Sequence, residues 1–187
     1  GLVFLGQFLD LFDGRAAERW GSTPRGEVFD DVADGTSFGL TVGLIVAVAF
    51  ADLWVGLLIG GVYLLAVVYR LVRFVVEKRK DGIAGGVATF SGMPSPAGAL
   101  LAGTSCVLIP SQTINGIIVI ATSILMVSRV SYAHFGRAIL PKIPKIARVL
   151  FLGAFLFLLA MGVRKDHYTA PLLLSFVAAT TYLFSPL

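Results

Sequence analysis

Cysteine is almost missing from this chain. Cys106 stands alone, so neither an intrachain disulfide nor a cysteine-ligated metal centre can form. Charge is scarce as well: Asp, Glu, Lys and Arg make up 14% of the 187 residues, while 57% are hydrophobic. That leaves no soluble basic domain, which sets nucleic-acid binding aside. Of the two histidines, His134 reads as an interfacial residue and His167 falls on the face opposite the candidate chemistry. No stretch reads as a signal peptide, and no internal repeat is visible.

Long apolar runs fill the space that charge leaves. Several reach the ~20 residues needed to cross a bilayer, and the mean hydropathy is +0.88. The expected fold is an all-α polytopic transmembrane bundle in a single domain, residues 1–187. Seven helices are predicted, at about 1–20, 26–49, 53–76, 97–109, 113–132, 146–163 and 171–184. The first turn-rich loop is 21–25, a Gly-rich connector runs from 82 to 96, and Pro110 ends the fourth helix. Gly1 opens inside an apolar segment, so an eighth, N-terminal helix is expected before it. The aromatic residues, 14 of them Phe, read mostly as lipid-facing bulk.

Alternating these helices across a membrane puts every basic residue except Arg164 and Lys165 on one side. Positively charged loops stay in the cytoplasm, which orients the chain. The net charge of +4 suits a surface of anionic lipid headgroups. Lys78, Arg79 and Lys80 read as anchoring charges. Arg70 and Arg73, three apart at the cytoplasmic end of the third helix, read either as anchors or as a grip on phosphate or carboxylate.

Against this apolar background, Asp10, Asp13, Asp30 and Asp34 stand out. Carboxylates beside hydrocarbon are costly and usually functional. Asp10 and Asp13 are three apart and Asp30 and Asp34 four apart, so on helices each pair shares a face. Two such helices joined by a short loop run antiparallel, and four carboxylates then converge on one small volume. A single acidic residue near a helix end is often a solvated cap, as Glu18 and Asp31 are read here. Four in register repel one another unless divalent cations lie between them, and hard oxygen donors suit magnesium, manganese or calcium. An ion path through the membrane is a rival from another class. However, no acidic residue lies deep in the later helices to continue it.

The run Asp10-x2-Asp13-Gly14-x2-Ala17, followed by Gly26-x3-Asp30-x3-Asp34, resembles the signature of the CDP-alcohol phosphotransferase family. There are two departures: Glu18 stands where the family has Arg, with Arg19 one place later, and the loop before Gly26 is one residue shorter. Further stretches resemble the phosphatidylserine synthase branch, with its archaeal archaetidylserine relatives. These are Ser37-Phe38-Gly39, Tyr69 to Phe74, Phe90 to Ala97, and Leu125 to Ser128 with Tyr132. Members of that branch have eight helices, in agreement with seven plus one.

The resemblance implies transfer of a phosphatidyl or archaetidyl group from CDP-diacylglycerol or CDP-archaeol to L-serine, with release of CMP. Glycerol 3-phosphate, inositol or inositol phosphate are the alternative acceptors. It implies two Mg2+ or Mn2+ ions on Asp10, Asp13, Asp30 and Asp34, with Asp34 also the base. Gly14, Ala17, Gly26 and Arg19 would meet the nucleotide, the first three lacking the bulk that would keep a flat cytidine away and Arg19 standing in for the family Arg; taken alone, small residues merely ease helix packing. Arg70, Arg73, Ser128 and Arg129 are candidates for lipid phosphate or serine. The resemblance also implies a homodimer surrounded by membrane lipids in the cell membrane, its site facing the cytoplasm.

Overall fold

The computed structural model describes residues 32–81, 89–133 and 168–184, with 144, 146, 150, 153–158 and 160–161 between the last two. The expected first helix, the loop after it and the start of the second lie outside the described residues. The chain is mostly helical, as expected. Helix α1, Val32–Ala49, and helix α2, Leu53–Asp81, are long and apolar enough to cross a membrane. Helices α3 (Ser95–Leu108), α4 (Gln112–Val127) and α5 (Thr169–Leu183) are shorter and apolar. Residues 146, 150, 153–158 and 160–161 are helical too, inside the sixth predicted helix.

Composition alone makes these segments helical in lipid, where every backbone polar group must be satisfied within the segment. Their ends carry local stop and start signals. The Asp52 carboxylate accepts from the Trp54 and Val55 amides at 2.8 and 3.3 Å and starts α2. The Ser111 hydroxyl accepts from the Ile114 amide at 3.4 Å and starts α4, as an N-cap does. α2 has 29 residues, about 43 Å at 1.5 Å per residue. A hydrocarbon core is about 30 Å thick, so the helix, five residues longer than predicted, is long enough to span one.

Since lipid is as apolar as leucine, helix association here rests on close packing rather than on escape from water. Gly39, Gly43 and Ala47 recur every four residues on α1, and Gly56 and Gly60 do so on α2. A Cβ on Gly43 would sit 3.0 Å from the Gly60 carbonyl oxygen, and one on Gly56 or Gly60 would run into the carbonyl of Ala47 or Gly43. α2 packs on α1 and α4, and α3 packs on α1, α4 and α5. The core joins Phe38, Val42 and Val46 to Tyr63 and Val67, then to Ala99, Ala102, Val119 and Ala179. Large apolar side chains outside it, such as Trp54, Val48, Leu58 and Leu65, are exposed. That pattern suits a lipid-facing surface and would be a liability in water.

Two stretches differ from the all-helical expectation. The fifth predicted helix, 113–132, stops at Val127, and Ser131–Ala133 is a short strand, β2. Its partner β1, Thr89–Ser91, lies in the predicted connector and pairs with it antiparallel, Phe90 opposite Tyr132. In a continuing helix the carbonyls of Val127 and Ser128 would accept amides four residues on. Here the Arg73 guanidinium takes both, at 2.8 and 3.0 Å. The Ser128 hydroxyl bonds back to the Leu125 carbonyl at 2.7 Å and accepts the Val130 amide at 3.3 Å, so the chain leaves the helix and enters the strand.

Candidate active site

One end of the bundle gathers the polar side chains. The start of α1, the end of α2, the start of α3, the end of α4, the strand pair and the end of α5 all meet there. Asp34 lies half-buried in the first turn of α1. A π-helical segment, Gly35–Leu40, follows it. Such wide turns are frequent at functional sites, because the extra residue turns the following side chains by a fraction of a helical turn. The Tyr63 hydroxyl donates to the Phe38 carbonyl at 3.1 Å, tying this segment to α2. Gly35 lies against Leu71, to whose Cδ1 a Cβ at Gly35 would come within 3.5 Å.

Arg70 is two helical turns after Tyr63, on the same face of α2. It is 6% exposed, an unusual position for a cation, since burying a charge is costly unless it is paired and hydrogen-bonded. One of its terminal nitrogens donates to the Ser95 hydroxyl at 2.6 Å, and Ser95 is fully buried. The Asp34 carboxylate and the Tyr182 phenol lie within its electrostatic reach. The Tyr182 ring stacks on that of Tyr132, with centroids 5.7 Å apart and planes 24° apart. An acid on α1, a buried cation on α2 and a hydroxyl on α3 therefore form one cluster, bordered by an aromatic pair from β2 and α5.

Arg73 is placed differently. Besides the Val127 and Ser128 carbonyls, its fork donates to the carbonyl of Ser91, and its Nε lies 3.8 Å from the Glu77 carboxylate. Its two terminal nitrogens thus donate to the protein backbone, and its Nε faces a side-chain carboxylate. The Ser128 hydroxyl is similarly committed to the turn after α4, and Arg129 is exposed at the same end. A cleft of about 10 Å3, room for a single water, lies among Arg70, Arg73, Phe74, Glu77 and Ser91. A larger groove of about 680 Å3 runs between α2 and α4 past Phe50, Ile59, Gly116 and Ile120. Among the described residues no titratable group lines it.

Of the residues singled out from the sequence, the structure brings Asp34 and Arg70 together and sets Arg73 and Ser128 beside them. Asp10, Asp13, Gly14, Ala17, Arg19, Gly26 and Asp30 lie outside the described residues. Among the described residues no group of three metal-ligating side chains occurs. Asp34 is a half-buried carboxylate, a hard oxygen donor of the kind that suits a divalent cation. Sequence reasoning missed Ser95, Tyr63 and Tyr182. The signal for Ser95 was its place between Pro94 and Pro96, at the first turn of a helix. The tyrosines, taken for lipid-facing bulk, carry hydroxyls that need a partner when buried.

A profile of the CDP-alcohol phosphatidyltransferase family matches residues 1–133. A Bacillus subtilis protein named CDP-diacylglycerol–serine O-phosphatidyltransferase is 34% identical over 140 residues, 71% of this chain and 73% of its own length. One of the same name from Methanocaldococcus jannaschii is 31% identical over 135 residues, 72% of this chain and 63% of its own. A third, from Mycobacterium tuberculosis, is 36% identical over 103 residues, 53% of this chain and 36% of its own. The match runs through the stretch that carries Asp34, Arg70, Arg73 and Ser128, and it replaces the ion-path reading with an enzyme: the chain belongs to the CDP-alcohol phosphatidyltransferase family.

Proposed function

We propose that the chain transfers a phosphatidyl or archaetidyl group from CDP-diacylglycerol or CDP-archaeol to the hydroxyl of L-serine, releasing CMP. The observation that carries this reading is the buried Arg70 guanidinium beside Asp34. One cation set next to one carboxylate suits an acceptor with a single carboxylate of its own. Glycerol 3-phosphate or inositol phosphate would call for a denser basic pocket. The names of the bacterial and archaeal relatives support serine.

In this reading Asp10, Asp13, Asp30 and Asp34 hold two Mg2+ or Mn2+ ions, which supply charge neutralisation at the pyrophosphate when bound. Gly14, Ala17, Gly26 and Arg19 hold the cytidine nucleotide. Arg70 orients the serine carboxylate, with Arg129 at the rim. The serine hydroxyl oxygen forms a bond to the lipid-linked phosphorus, and the bond from that phosphorus to the CMP oxygen breaks. The hydroxyl proton goes to the Asp34 carboxylate, and CMP leaves with the electron pair. Positioning and charge carry most of such a transfer. The protein is then a multi-pass helical bundle, a homodimer in the cell membrane, with its site facing the cytoplasm.

The test is CMP release by the purified protein with CDP-diacylglycerol and manganese, comparing L-serine, glycerol 3-phosphate, inositol and inositol phosphate. Release with serine alone, lowered by about 10²–10⁴ in Asp34→Asn, is the expected result. Release only with another alcohol overturns the serine assignment.

A further inference from the structure

We propose that Arg73, rather than touching substrate, is a positioning residue that fixes Ser95 against Arg70; this rests on the acceptor-binding role assigned to Arg70 above. Its planar fork gathers three backbone carbonyls from two distant segments: Val127 and Ser128 at the end of α4, and Ser91 at the end of β1. The first two are carbonyls that a helix end leaves without intrahelical partners. An ammonium has no planar fork with which to bridge both segments.

The next residue after Ser91 completes the junction. Gly92 has φ +83°, a left-handed conformation that glycine adopts without steric cost. Its amide donates to the Val130 carbonyl at 2.8 Å. A Cβ there would collide with the Met126 carbonyl, approach the Arg73 guanidinium to 2.7 Å and the Ser128 carbonyl to 2.9 Å. The Met93 amide then donates to the Leu125 carbonyl at 3.1 Å. Gly92, Met93, Pro94 and Ser95 are all buried. The path from the Arg73 fork to the Ser95 hydroxyl is therefore four residues of packed backbone, leaving Ser95 little freedom to drift. Arg73 acts through that path: it sets the Ser95 oxygen, Ser95 sets the Arg70 guanidinium, and Arg70 faces Asp34.

The experiment measures CMP release and amide hydrogen exchange in full-length wild type, Arg73→Gln, Arg73→Lys and Ser95→Ala. Arg73→Gln is expected to raise KM for serine about tenfold, the loss of one charge-assisted hydrogen bond, with KM for the CDP-lipid within about twofold of wild type. Arg73→Lys falls between, and the double variant Arg73→Gln with Ser95→Ala is no worse than the poorer single one. Exchange at the Gly92 and Met93 amides quickens in Arg73→Gln and not in Ser95→Ala. An unchanged KM for serine in Arg73→Gln overturns the proposal. So does a raised KM with Gly92 and Met93 still protected, which would make Arg73 a direct ligand. If the wild type turns over another alcohol instead of serine, the serine reading fails and the same KM comparison on that alcohol decides the role of Arg73. No release with any acceptor overturns both.

Discussion

Gly43 and Gly60 face each other across α1 and α2 so closely that a methyl on the first would lie 3.0 Å from the carbonyl oxygen of the second. Gly60→Val therefore forces the two helices apart. With packing the main source of association in lipid, a loss of about 1–3 kcal/mol is expected, the usual range for overpacking. Among the described residues nothing lies within 4 Å of a Cβ built on Gly61 next to it, so Gly61→Ala is expected to cost no stability. Thermal unfolding in one detergent distinguishes the two.

Arg70→Gln is expected to lower kcat/KM for the acceptor by at least about thirtyfold, since breaking a buried charge pair costs about 2–5 kcal/mol. Most of the loss should fall on KM for serine. Arg70→Lys keeps the charge but has no planar fork to share between Ser95 and a carboxylate, so it recovers only part. Steady-state CMP release at varied serine checks both.

Chelation of divalent cations is expected to abolish CMP release, and adding back Mn2+ or Mg2+ to restore it. Asp34→Asn removes one anionic donor from the proposed set, so it should need a higher metal concentration for half-maximal release. A titration with manganese reads this directly.

Burial pushes the Tyr132 phenol above its ordinary value. A tyrosine whose pKa is raised in the folded state stabilises fully below the unfolded value of about 10. That contribution fades as pH rises through the raised folded value, because the unfolded chain loses the proton first. Melting temperature should therefore fall above about pH 10, and the fall should be shallower in Tyr132→Phe.

The helical, membrane-spanning character was legible because it depends on one-dimensional quantities: apolar run length and Gly and Pro punctuation. That Asp34 and Arg70 are charges set among apolar residues was legible for the same reason, since such a charge stands out without knowledge of its neighbours. The strand pair was not. The local signal at Val127 is only the Ser128 hydroxyl; the other partner of that helix end is a guanidinium from a residue more than fifty positions earlier. Ser95 and Tyr182 escaped notice for a related reason: their importance comes from which helix they meet, and small hydroxyl residues are common on membrane helices.

The acceptors that Arg73 holds are all main-chain oxygens, and every amino acid supplies the same one. Positions 91 and 127 can therefore exchange side chains through evolution without loosening the junction, whereas position 128 also holds the turn through its hydroxyl. What it demands is a guanidinium on one side, and on the other the lack of a side chain at Gly92 with the turn-forming hydroxyl of Ser128. A designer wishing to alter acceptor choice thus has two permissive positions beside the site, 91 and 127, and three that must be left alone.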